Sequence, residues 1–130
     1  MKKSEFTRAK SEQCAKEIID FIIKEGLWGD VRVYANGKVW SNQNPADGHY
    51  HYEQSWDSVF CLGEADPKDY IEYTSDFLTM TFESDLYDVL NFYRGYKAYD
   101  RVHDGINDIL RKYDKYLELG YSWSLAAYDI

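Results

Sequence analysis

Breakers are scarce in this chain: among 130 residues there are two prolines and eight glycines, and no low-complexity tract or internal repeat interrupts it. With 45% of residues apolar or aromatic, the composition excludes a disordered polypeptide. The length suits one core and is too short for two, so a single domain spanning 1–130 is expected.

Long apolar runs are missing as well. No stretch approaches the ~20 residues of a membrane-crossing helix. After Met1-Lys2-Lys3 the chain continues Ser4-Glu5-Phe6-Thr7-Arg8, without the apolar segment of a secretory signal. A cytoplasmic protein without membrane contact is expected. The two cysteines, Cys14 and Cys61, lack C-x-x-C spacing and read as reduced, buried thiols, one on a helix and one on a strand. Also absent are G-x-S-x-G, H-E-x-x-H, a phosphate-cradling glycine loop and a dinucleotide fingerprint. Neither an enzyme nor a cofactor is implied.

What is present is alternating and helical patterning in separate blocks. Ala15, Ile18, Ile19, Ile22 and Ile23 fall at three- and four-residue spacing within Ser4–Glu25 and predict an amphipathic helix ended by Gly26. Asn36-Gly37 between Val31–Tyr34 and Lys38–Ser41 predicts a two-residue hairpin, with Val33 and Trp40 on one face and Tyr34 and Val39 on the other. Further strands are expected at His49–Gln54 and Ser58–Leu62. A second hairpin is expected between Tyr70–Tyr73 and Phe77–Phe82, with Leu78, Met80 and Phe82 facing the core. Ser84 is the expected N-cap of a helix reaching about Tyr93. A longer helix follows over Tyr96–Leu119, loosened or bent at Gly105 and ended by Gly120. Alternation over Tyr121–Tyr128 predicts a terminal strand. The expected fold class is α+β: an antiparallel sheet built from hairpins, packed against an N-terminal helix and a C-terminal helical pair, with a C-terminal strand.

Charge is distributed unevenly. Residues 44–90 carry eleven acids against Lys68 alone, while the flanking segments are close to neutral, so this middle third holds the whole imbalance behind the net charge of −8. The acids are interleaved with tyrosine and tryptophan, the residues that anchor protein contacts. A collectively acidic surface attracts a basic partner and speeds the encounter. The candidate binding residues are Asp57, Glu64, Asp66, Asp69 and Glu72, with Trp56 and Tyr70 as aromatic anchors. Direct nucleic-acid binding needs clustered lysine and arginine, and Arg94, Lys97 and Arg101 stand beside acids instead.

Two histidine patterns are the remaining chemistry. On a strand, His49, His51 and Glu53 would share one face as a ligand set for zinc or iron, yet no third histidine is near, and no metal is expected. His103 and Asp104, adjacent on a helix, point about 100° apart and are not expected to orient each other.

In overall character the chain resembles two loose groups: inhibitors from phages and mobile elements that block CRISPR or restriction nucleases, and immunity proteins that neutralise toxins. The resemblance lies in small size, acidity and richness in Tyr and Trp, and carries no residue-level correspondence. It implies a non-enzymatic acidic protein-binding module whose partner is a basic protein, with its acids standing in for nucleic-acid phosphates. The alternatives are a small metal-dependent enzyme or metal-binding protein built on His49, His51 and Glu53, and a subunit whose aromatic surface is a homodimer interface.

Overall fold

The apolar stripe near the N-terminus folds as α1 (Glu5–Lys24), which buries Cys14, Ala15, Ile18, Ile19, Ile22 and Ile23. It stops at Gly26, whose φ of 73° is a left-handed position that glycine adopts at no steric cost. The computed structural model describes residues 5–130, and all statements below concern these.

The first hairpin forms as expected. β1 (Val31–Ala35) and β2 (Lys38–Ser41) pair with Val33 opposite Trp40 and Tyr34 opposite Val39. Asn36 at φ 52° and Gly37 at φ 71° make the turn that fits the twist of the strands. β3 (Phe60–Glu64) joins the other edge of β2 with a bulge at Val39/Trp40. β4 (Thr79–Phe82) follows, then α2 (Ser84–Leu90), α3 (Tyr96–Arg111), β5 (Lys115–Leu119) and β6 (Ser124–Asp129). The six strands form one antiparallel sheet in the order β3-β2-β1-β4-β6-β5. The fold is thus α+β, and no helix among the described residues is long and apolar enough to cross a membrane.

Several local expectations are corrected. Tyr70–Tyr73 is not a strand: β4 has β1 on one edge and β6 on the other, so no edge remains for a local hairpin partner. His49–Gln54 is not a strand either. A single bridge joins Tyr50 to Gln43, His51 exchanges bonds with Asn42 through that residue's carbonyl (2.8 Å) and side-chain amide (3.1 Å), and Gln54 is tied to the Trp28 backbone. The last helix ends at Arg111 rather than Leu119, because Asp114 turns into the left-handed region (φ 59°) and Lys115–Leu119 takes up pairing with β6. Gly120 accordingly lies in the β5–β6 turn, and β6 begins at Ser124 rather than Tyr121. Ser84 does not cap α2; the cap position is Glu83, and the Ser84 hydroxyl donates to Asp30 instead (2.6 Å). Cys61 is exposed, unlike Cys14.

Alternation divides the sheet into two unlike faces. Val31, Val33, Trp40, Met80, Phe82 and Leu125 point to the side covered by the three helices and belong to one continuous core. Gly105 does not interrupt α3; it lies against the ring of Phe21 on α1, where the two helices meet. Fully buried Trp28 extends the core beneath the loops, its indole N–H donating to the Ser58 carbonyl at 2.9 Å. The opposite face has only a small cluster, Tyr34, Val39 and Ile71, with Leu62 and Ala65 packed against it.

Candidate functional site

The face without helices is built in rows by the strand register. Val39, Tyr34, Thr79 and Ala126 form one row across four strands; Ser41, Arg32, Thr81 and Ser124 form the next. Residues 65–76 cross the first row as a strap. Asp66 accepts the Lys68 N–H at 3.0 Å and caps a single 3-10 turn, the Ala65 N–H reaches the Gly37 carbonyl at 2.9 Å, and Ile71 packs down on Tyr34 and Val39. At its far end the Ser75 N–H donates to Thr79 Oγ1 (3.0 Å) and the Tyr128 hydroxyl to the Thr74 carbonyl (3.4 Å).

The second row is closed at its two ends, where Ser41 and Ser124 are buried, and partly open at Arg32 and Thr81 between them. Around it opens a cleft of about 560 Å³, with Arg32, Ser41 and Thr81 in the floor and Tyr50, Tyr70 and Trp123 along the walls. Tyr70, at the edge of the strap, is 73% exposed. Trp123 stacks on Tyr121 at 5.0 Å, Tyr121 contacts Tyr73 at 5.3 Å, and the Tyr121 hydroxyl donates to Glu72 at 2.7 Å. That bond to a carboxylate holds the Tyr121 hydroxyl above its usual range. At the other end of the cleft the Asp30 carboxylate accepts the hydroxyls of Tyr52 (2.9 Å) and Ser84 (2.6 Å), and the Tyr52 hydroxyl is raised for the same reason. Two tyrosines beside the cleft, Tyr121 and Tyr52, are thus fixed by hydrogen bonds to carboxylates, and Trp123 stacks on the first of them.

The sequence-derived candidates separate into three places. Tyr70 lines the cleft and Glu72 supports its rim. Glu64, Asp66 and Asp69 line a neighbouring recess of about 620 Å³ at the turn end of the first hairpin, shared with Arg8, Lys38 and Lys68. Lys68 pairs with Asp76 at 3.2 Å, and Lys38 with Glu12 at 2.9 Å. Trp56 and Asp57 stand apart from these five, beside α1, where the Trp56 indole donates to Asp20 at 3.1 Å.

The histidines are arranged differently from the strand reading. His49 and Glu53 are exposed, whereas the His51 ring packs 5.3 Å from that of Phe60 and its Nε2 is buried without a hydrogen-bond partner. Among the described residues no three His, Cys, Asp or Glu side chains gather as a ligand set. His103 and Asp104 do meet, at 3.1 Å, because the exposed Asp104 carboxylate swings back to Nδ1, while Tyr99 stacks on the ring at 5.1 Å. Arg94 and Arg101 are engaged by Asp85 (2.6 Å) and Glu25 (2.7 Å).

Arg32, Thr81 and Trp123 escaped the sequence reading. Alternation alone points Arg32 away from the core, but only the pairing of β1 with β4 makes its strand a central one and flanks it with Thr81. Comparison with protein-family models, with curated proteins and with solved structures finds no match to this chain.

Proposed function

We propose that the chain is a non-enzymatic binding module that engages a basic protein through the strap and the aromatic rim of the open sheet face. The observation that carries this reading is the exposure of Tyr70 and Tyr73 on the strap, next to Trp123 and Tyr121, on the face of the sheet that no helix covers. Large aromatic rings left in water on a rigid, hydrogen-bonded frame are the usual anchors of a protein contact. Glu64, Asp66, Asp69 and Glu72 follow one another along the same strap and its approach and, with Asp76, outnumber the neighbouring Arg8, Lys38 and Lys68, so the contact is bordered by net negative charge that draws in a positive surface.

A cytoplasmic inhibitor fits this combination best, of the kind that occupies a nucleic-acid-binding surface or neutralises a toxin. Carboxylates spaced along a strap replace phosphate oxygens, while the rings supply slow dissociation. Trp56 and Asp57 are a separate contact in this reading.

The test is capture from host lysate by the tagged chain at 50 and 500 mM salt, followed by kinetics with the recovered protein. A Glu64→Lys, Asp69→Lys variant, with Asp66 kept because it caps the turn, is expected to associate at least about tenfold more slowly at low salt and with a weaker salt dependence. Tyr70→Ala is expected to act on dissociation instead. Unchanged rates in both variants would rule out this surface.

A further inference from the structure

We propose that Arg32 anchors a carboxylate-binding site in the floor of the open-face cleft, taking a ligand whose carboxylate is carried beside a flat aromatic body. The starting observation is a guanidinium without a counterpart. Arg32 is half-buried on the central strand, and among the described residues its side chain has no hydrogen-bond or ion-pair partner. Among the described residues Arg8 and Arg111 also meet no hydrogen-bond or ion-pair partner, but both are exposed to water. Arg94 and Arg101, as noted, are met by carboxylates. Withdrawing a charge from water without pairing it is costly, so an unpaired guanidinium at a cleft floor is a site held ready for an anion.

The register supplies the room and the additional donors. Ser41 and Thr81 flank Arg32 on the two neighbouring strands, and Ser124 lies beyond Thr81. These small side chains leave room beside Arg32 in the cleft. The Ser41 oxygen already accepts the Gln43 N–H at 3.2 Å, so its own proton is free to be donated into the cleft. Above this polar floor the rings of Tyr50, Tyr70 and Trp123 form apolar walls. A planar fork beneath aromatic walls matches a carboxylate next to a ring, held by two parallel hydrogen bonds.

Charge selects carboxylate over phosphate. Asp30 and Glu83 line the same cleft, and the chain carries −8 overall, so a dianion would meet two nearby negative charges for the one positive charge it gains. A monoanion balances Arg32 with less repulsion. The ligand is either a free aromatic acid or the terminal carboxylate of a peptide ending in an aromatic residue. The site lies on the face proposed for the protein partner but does not depend on it.

The test is titration of the ¹⁵N-labelled chain with phenylacetate and with the tripeptide Ala-Ala-Phe, reading the Arg32 Nε–H and Trp123 indole N–H resonances. Phenylacetamide, phenyl phosphate and the tripeptide amide serve as comparisons. Saturable shifts at millimolar concentration are expected for at least one acid, the tighter of the two naming the source, with at least tenfold weaker binding of its amide and of phenyl phosphate. The shifts are expected to vanish in Arg32→Gln. Equal binding of acid and amide, tighter binding of phenyl phosphate, undiminished binding by Arg32→Gln, or no saturable shift with any probe overturns the proposal. The acid-to-amide comparison uses the unaltered chain and stands even if the variant folds poorly. No partner enters the titration, so its failure is distinct from failure of the partner reading.

Discussion

Gly105 on α3 lies directly over the ring of Phe21 on α1: a Cβ at Gly105 would fall 2.2 Å from Phe21 Cζ. Alanine normally gains about 1 kcal/mol over glycine inside a helix. Here the added methyl must displace a ring at the helix crossing, and overpacking of this kind costs about 1–3 kcal/mol. Gly105→Ala is therefore expected to lower stability in urea unfolding. Combined with Phe21→Ala, the same change is expected to be nearly neutral or favourable, a coupling that a double-mutant cycle measures.

The two thiols are expected to differ sharply. Burial pushes the Cys14 thiol up to about 12, whereas Cys61 is exposed on β3. Since the thiolate is the reactive form, iodoacetamide at neutral pH should label Cys61 alone in the native protein. Cys14 should be labelled only on unfolding. Mass spectrometry of digests distinguishes the two sites, and Cys61→Ser should leave the native chain unlabelled.

Acid should weaken the contact between α1 and the first hairpin. The Lys38 ammonium beside Glu12 holds that carboxyl below its ordinary 4.5. A folded value below the unfolded one means the contact stabilises above about pH 4.5 and is lost as pH falls through the folded value. The slope of Tm against pH between 3 and 5 should be shallower in Glu12→Gln than in the parent. The effect should be modest and diminish at high salt, because the pair is partly exposed.

Asp30 joins the loop at Tyr52 to the start of α2 at Ser84, and its backbone occupies the left-handed region at φ 56°. Aspartate and asparagine tolerate that conformation better than alanine. Asp30→Ala should therefore cost more than Asp30→Asn, about 1–2 kcal/mol for the hydrogen bonds with a further backbone penalty. Faster hydrogen exchange at the His51 amide should accompany both.

Much of the helix-covered side was legible because its signals are local. The three- and four-residue spacing of Ile18, Ile19, Ile22 and Ile23 and the Asn36-Gly37 turn needed no knowledge of distant partners. The segment 115–119 was misread because Tyr113, Tyr116 and Leu117 continue the helical spacing, while the left-handed turn at Asp114 that ends it has no strong signature. The uncovered face was harder still. Tyr70 and Glu72 stood out by composition, but the isolation of Arg32 and the nearness of Trp123 to the cleft follow from β4 lying between β1 and β6, strands far apart in the chain.

The division of labour along β1 has an evolutionary consequence. Val31 and Val33 face the helices while Arg32 and Tyr34 face the other way, so neighbouring codons answer to different demands. Substitutions at Arg32, Thr81 or Trp123 alter the cleft without opening the main core, since none of these side chains belongs to it. Descendants of this chain are free to reshape the cleft one codon at a time, revising one face of the sheet while keeping the face that carries the main core.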